Sequence, residues 1–159
     1  MPKSDFRFHT HIRTRWMECD AQGIAFNGSY LGYLEVAQAE YFRNLGFSIY
    51  KIAKHGYFDS AVVKTVIEFK SPVMVDEIIE LHARVSNIGN TSLQLDVEIY
   101  REHEETLLSR IEAIYVGLQA PEMIKKRVPD DIRTLVHTFE ESGLIKQLNE
   151  FPDLEHANL

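Results

Sequence analysis

W-M-E-C-D-A-Q-G-I-A-F-N-G-S-Y-L-G-Y-L-E-V-A-Q-A-E-Y-F-R-N-L, residues 16–45, is the stretch on which the fold turns. It reads as a strand end, a glycine-punctuated loop carrying the carboxylate of Asp20, and then a long apolar helix. From Tyr30 onward Leu31, Leu34, Ala37, Tyr41, Phe42 and Leu45 recur at helical spacing, with Gly32, Glu40, Arg43 and Asn44 opposite. Gly46 stands where a left-handed residue commonly closes a helix. The order sets one acid beside a helix N-terminus, where unpaired N–H groups and the positive dipole end can polarise a carbonyl or hold an anion. Asp20 equally suits a turn or cap, and Gly23 and Gly28 serve a tight turn as well as a close-lying substrate. Gln38 lies within the apolar stripe and Glu35 at its edge, so either can tie the helix to a sheet. Glu35, one turn beyond Leu31, is also the second carboxylate able to face the loop.

Outward from this stretch the pattern is that of strands. Phe6, Phe8, Thr10, Ile12, Thr14 and Trp16 alternate with Arg7, His9, His11, Arg13 and Arg15, as in a half-buried strand. His9 and His11 share a face, but their neighbours are arginines, which repel a cation, so no metal site is expected. After an irregular aromatic segment from Phe47 to Asp59, which reads as a lid or connector, four more alternating runs follow, near 61–70, 78–85, 93–100 and 107–118. Gly89-Asn90 is a candidate hairpin turn, and the last three runs read as an antiparallel meander. Pro121 and Pro129 frame a connector to a short amphipathic helix with Ile132, Leu135, Val136 and Phe139, capped by Asp130 or Asp131 and ended by Gly143. The tail to Leu159 has few apolar residues and is expected to be partly disordered or to lie on a neighbour. One helix packed on an antiparallel sheet is an α+β arrangement.

Composition narrows the functions available. The chain has 159 residues, 45% hydrophobic and 26% charged, enough for one domain with its own core. No window approaches the roughly 20 apolar residues of a membrane span, which points to a soluble, cytoplasmic protein without a membrane partner. The net charge of -7 and the absence of a basic run argue against a nucleic-acid partner. Cys19 is the only cysteine, so no intrachain disulfide can form. Lying next to Asp20 in an extended segment, its side chain points the other way, which favours a buried filler over a nucleophile.

The run Asp20-Ala-Gln-Gly23-Ile-Ala-Phe26-Asn27-Gly28-Ser-Tyr30, followed by Leu31, Tyr33, Leu34 and Glu35, resembles the D-x-x-G-x-x-x-N/H/Y-x-x-Y signature of the 4-hydroxybenzoyl-CoA thioesterase family, and within it the YbgC-like branch. The resemblance reaches from about Phe6 to Leu118. It implies a hotdog fold, in which a curved antiparallel sheet of about five strands wraps one long central helix. Residues 1–120 would form the hotdog and 121–159 an extension of the same domain. It also implies hydrolysis of an acyl-coenzyme A, a small-molecule substrate that brings its own coenzyme and needs no further cofactor. Homodimers or homotetramers with active sites at the interface are implied as well.

Carried over residue by residue, Asp20 matches the catalytic carboxylate, acting as general base or as nucleophile. Asn27 matches the position whose backbone N–H polarises the thioester oxygen. Gly23, Phe26, Gly28 and Tyr30 would line the substrate, while Thr91 and Ser92 correspond loosely to a hydroxyl that some relatives supply from the partner subunit. The coenzyme's phosphates need exposed cations such as Lys64, Lys70, Arg84, Arg101 or Arg110. A branch acting on short acyl groups has Tyr-His where this chain has Phe26-Asn27, which leaves the acyl preference open. Two other readings are a hotdog dehydratase or hydratase and a non-catalytic acyl-CoA or lipid binder. The first needs a site histidine, and none lies between His11 and His55.

Overall fold

The computed structural model describes residues 2–159. Its elements in chain order are β1 (Phe8–Arg13), α1 (Ser29–Asn44), α2 (Ile49–Lys54), β2 (Asp59–Phe69), β3 (Ile78–Ile88), β4 (Ser92–Arg101), β5 (Leu107–Gln119), β6 (Ile124–Lys125), α3 (Asp130–Ser142) and α4 (Pro152–Ala157). The strands form one antiparallel sheet in the order β1-β3-β4-β5-β2, with the short β6 beside β5. The sheet curls around α1, which is the hotdog arrangement.

Alternation along the strands makes this packing possible. Ile79, Leu81, Ala83 and Val85 of β3, Leu93, Leu95, Val97 and Ile99 of β4, and Ile111 and Ala113 of β5 share one core with Leu34, Ala37, Tyr41 and Phe42 of α1. Each Leu, Ile or Val among them contributes about 1.5–3 kcal/mol on full burial. The intervening positions are polar, yet Glu80, His82, Glu98 and Tyr100 are buried too. The N-terminal segment lies over them: Lys3 Nζ sits 2.7 Å from Glu80 and over the Tyr100 ring, and Phe6 meets His82 edge-on.

The chain departs from its pattern in four places. β1 stops at Arg13, because the Arg15 main chain and side chain both bind Glu18 and coil residues 16–18 into a single tight turn. Trp16 is thereby turned out of the alternating face and is 86% exposed. In β2 the register slips between Val62 and Lys64, so Val63 bulges outward instead of pointing inward with Ala61 and Thr65. The aromatic segment contains α2, capped by the Ser48 hydroxyl and anchored by buried Ile52.

The tail is the fourth departure, being ordered against its own chain. α4 buries Leu154 and Ala157, and the Asn158 side chain bonds the main chain at Gly46 and Ser48. α3 ends on Gly143 at φ 78° as its spacing predicts and puts Ile132, Leu135, Val136 and Phe139 into the common core; its start differs, because Pro129 precedes it with no side-chain cap while Asp130 accepts from Arg127 and Asp131 from the Tyr57 hydroxyl.

Candidate active site

The loop before α1 is a miniature ribbon. The main-chain bonds Asp20 N–H to Ile24 O (2.9 Å) and Phe26 N–H to Glu18 O (3.1 Å) pair its two arms, and Gly23 at φ 76° turns the tip. Ala25 and Val75 bind it to the 73–75 segment through Ala25 N–H to Val73 O (2.8 Å) and Val75 N–H to Gly23 O (2.9 Å). Asp20 sits at the tip, exposed; its Oδ1 accepts the Gln22 N–H at 2.8 Å, while Oδ2 takes no intrachain bond among the described residues.

From the ribbon the chain passes straight into the helix head. Ser29, Tyr30 and Leu31 donate to Phe26, Asn27 and Gly28 carbonyls in a tight first turn. The N–H groups of Asn27 and Gly28 have no acceptor among the described residues, so two main-chain donors stand free where the helix dipole is positive. The Phe26 ring crowds Gly28: a Cβ there would lie 3.1 Å from it. Tyr30 is buried, its ring edge-on to Phe69 at 4.9 Å, and burial raises its hydroxyl above the usual range.

Glu18, which the sequence reading passes over, holds this assembly together. Its carboxylate accepts the Arg15 N–H and guanidinium at 2.7–2.9 Å and the Tyr33 hydroxyl at 3.4 Å, while its carbonyl accepts the Ser29 hydroxyl at 2.6 Å. Desolvation, and then the charge of Glu18, push Tyr33 far above the usual phenol range, so it remains a donor. Cys19 is half-buried, with its thiol 3.6 Å from Arg15 O. Burial and the flanking Glu18 and Asp20 charges raise its pKa, which keeps it protonated and a poor nucleophile.

Asp20, Gly23, Phe26, Asn27, Gly28 and Tyr30 thus lie along the ribbon and the helix head it runs into. Glu35 does not join them: it is exposed on α1, accepts the Tyr50 hydroxyl at 3.3 Å, and lines a cavity of about 180 Å³ among α1, α2, the start of β2 and α3. Asp20 does not line that cavity. Thr91 lies in the β3–β4 turn and Ser92 opens β4; their carbonyls accept Gly117 N–H (2.7 Å) and Gly89 N–H (2.8 Å).

Of the cations, Arg84, Arg101 and Arg110 are engaged by Asp96, Glu77 and Glu98, and Lys70 by Glu68. Lys64 is exposed without a carboxylate partner among the described residues. His9 and His11 meet edge-on at 5.1 Å and His9 stacks on His82, but no group of three or more potential ligands among the described residues is placed for a metal. No helix of the described residues is long and apolar enough to cross a membrane.

A long helix cradled by one curled antiparallel sheet is the arrangement of the hotdog thioesterases. Residues 22–108 match the thioesterase superfamily, and the chain belongs to it. It is 27% identical over 126 residues to the acyl-CoA thioester hydrolase YbgC of Escherichia coli, covering 79% of this chain and 92% of that protein. Its structure resembles that of a 1,4-dihydroxy-2-naphthoyl-CoA thioesterase from Synechocystis, at TM-score 0.73 and 20% identity, covering 80% of this chain and 93% of that one. It also resembles a DHNA-CoA thioesterase from Staphylococcus aureus, at TM-score 0.76 and 23% identity, covering 87% and 95% respectively.

Proposed function

We propose that this chain hydrolyses the thioester of an acyl-coenzyme A, with Asp20 as the working carboxylate and two or more copies completing the site. The observation that carries this reading is Asp20 at the tip of a ribbon whose continuation presents the free Asn27 and Gly28 N–H groups at the head of a long helix. The activities named for the relatives support it.

Two routes fit the geometry. The carboxylate takes a proton from water as that water attacks the carbonyl, or it attacks the carbonyl itself, expels the thiolate and leaves an anhydride for water to cleave. In both, the carbonyl oxygen gains negative charge, and a preset main-chain donor beside it commonly contributes about 3 kcal/mol.

A carboxylate in open water is a weak base and nucleophile, and excluding solvent strengthens each electrostatic contact. Within one copy Asp20 is open to water, yet Trp16, Met17, Phe26 and Phe69 on the same loop, helix head and strand end are exposed as well. A second copy laid along the unpaired edge of β2 would cover them, giving a homodimer or a homotetramer built from it. The proposal keeps the cytoplasmic setting that the sequence reading expects.

The test is thiol release from acetyl-, hexanoyl-, dodecanoyl- and benzoyl-CoA. Asp20→Asn is expected to lower kcat by about 10²- to 10⁴-fold. Asn27→Ala keeps its main-chain N–H and should lose far less. Undiminished release by Asp20→Asn would remove the carboxylate from the mechanism, and binding without release by the unaltered protein would make the chain an acyl-CoA binder.

A further inference from the structure

Glu18 and Asp20 stand two residues apart, and the fold treats their carboxylates in opposite ways. Both Glu18 oxygens are engaged: Oε1 accepts the Arg15 N–H at 2.9 Å and the Tyr33 hydroxyl at 3.4 Å, and Oε2 accepts two guanidinium N–H groups at 2.7 and 2.9 Å. Asp20 is exposed and keeps Oδ2 free of intrachain bonds among the described residues. A half-buried carboxylate that already accepts four hydrogen bonds has no lone pair left for a substrate, so the chemistry falls to Asp20 and Glu18 has another task.

That task shows in what the Glu18 main chain touches. Its carbonyl oxygen accepts both the Phe26 N–H at 3.1 Å and the Ser29 hydroxyl at 2.6 Å. Asn27 and Gly28, whose free N–H groups head the helix, are the two residues between those attachments. Ser29 and Tyr33 lie four residues apart on one face of α1, so the carbonyl and the carboxylate of Glu18 hold successive turns of that face. Arg15 clamps Glu18 from outside, its main chain on one carboxylate oxygen and its guanidinium on the other. Toward the ribbon tip only Cys19 separates Glu18 from Asp20, so one residue joins the acid to the donors.

We infer that Glu18, clamped by Arg15 and seated on Ser29 and Tyr33, is the positioning residue that sets the distance between the Asp20 carboxylate and the Asn27 and Gly28 donors. This rests on the hydrolase reading. The carboxylate, or the water it activates, addresses the carbonyl carbon while the donors address the oxygen, so a displacement of about 1 Å between them costs about 100-fold in rate. Ground-state binding of the substrate has no such requirement.

The experiment compares Glu18→Gln, Arg15→Met and Ser29→Ala with the unaltered full chain. It uses the acyl-CoA that releases thiol fastest and, for calorimetric affinity, the thioether of the same carbon skeleton, which cannot be hydrolysed. Glu18→Gln keeps an acceptor for Tyr33 but turns an amide NH2 toward the guanidinium. Arg15→Met alters an exposed side chain and so guards against a folding failure at Glu18. Each variant should lower kcat by about 10- to 100-fold, while KM and thioether affinity change by about twofold or less. In the Asp20→Asn background, Glu18→Gln should cost about threefold or less, because no carboxylate remains to be held in register. Equal losses in both backgrounds, or a thioether affinity that falls in step with kcat, would make Glu18 a merely structural residue and overturn the inference. Unchanged kcat in all three variants would overturn it as well and leave the hydrolase reading intact. If the unaltered protein releases thiol from no acyl-CoA, the hydrolase reading falls and the inference with it.

Discussion

Glu80 is a carboxylate the fold needs in its charged form. Burial alone would raise it, but hydrogen bonds from His82 Nε2 at 2.9 Å and the His103 N–H at 3.1 Å, with Lys3 Nζ at 2.7 Å, bring its pKa down to about 2. His82 shifts downward as well, chiefly through burial, with Glu80 opposing and His9 and Lys3 adding to the fall. With Nε2 donating to Glu80, its Nδ1 has no partner, so a second proton there would be a buried unpaired donor. Both groups bind protons more readily in the unfolded chain, and stability therefore declines as pH falls. The His82 share goes below its ordinary 6.5 and the Glu80 share between 4.5 and about 2. The Glu80 shift is worth on the order of 3 kcal/mol. Urea midpoints at pH 7, 5.5 and 4 should fall in that order, and Glu80→Gln should flatten the acid end of the curve; a curve unaltered by that change would refute the role of Glu80. The candidate site was legible where one short segment builds it, as the run from Asp20 through Gly23 to Asn27 and Gly28 does. Glu18 escaped notice because its role is made by Arg15 three residues before it and Tyr33 fifteen after. The Arg15-x-x-Glu18 spacing is the signal that could have found it.

Among the elements, legibility follows length. α1, α3 and the long strands span enough residues for a period to declare itself. α2 and α4 have six residues each, one turn and a half, and become helical through burial of Ile52, Leu154 and Ala157. No local pattern encodes such a contact. The bulge at Val63 is invisible for a similar reason, since only the register against β5 reveals the extra residue. Helix ends were clearer. Gly143 closes α3 at φ 78°, its N–H bonding Phe139 O at 2.7 Å, and a Cβ there would lie 3.1 Å from the end of the exposed Arg7 side chain, which can move away. Gly143→Ala should therefore cost about 1 kcal/mol through backbone strain, lowering Tm by about 2–4 °C. Gly32, inside α1 with nothing within 4 Å of a Cβ, is the opposite case. Gly32→Ala should raise Tm by a similar amount, because alanine loses less backbone entropy in a helix. Shifts of the same sign in the two variants would contradict this account.

At the scale of the molecule, the alternating runs dictate an antiparallel sheet with one apolar face and do not say how far it curls. The wrap around α1 came from the family resemblance, because curvature arises from twist accumulated over paired strands. β2 pairs β5 on one side only, and on its free side an 11-residue edge with exposed Val62, Val66 and Phe69 stands open. A long apolar edge is a template for another strand, and a protein that keeps one without pairing it invites aggregation. Asp59, Lys64 and Glu68 are the charged residues of that strand, and the single cation near its middle is too little charge to block pairing. If two copies meet there, a carboxylate at Val66 is desolvated in the joined sheet at a cost of several kcal/mol but stays in water in the separate copies. Val66→Asp should then sediment as a monomer with an unchanged far-UV spectrum, and thiol release should drop by about 100-fold as the Asp20 ribbon loses its cover. A fully active Val66→Asp monomer would place the whole site within one chain and end the case for a shared one.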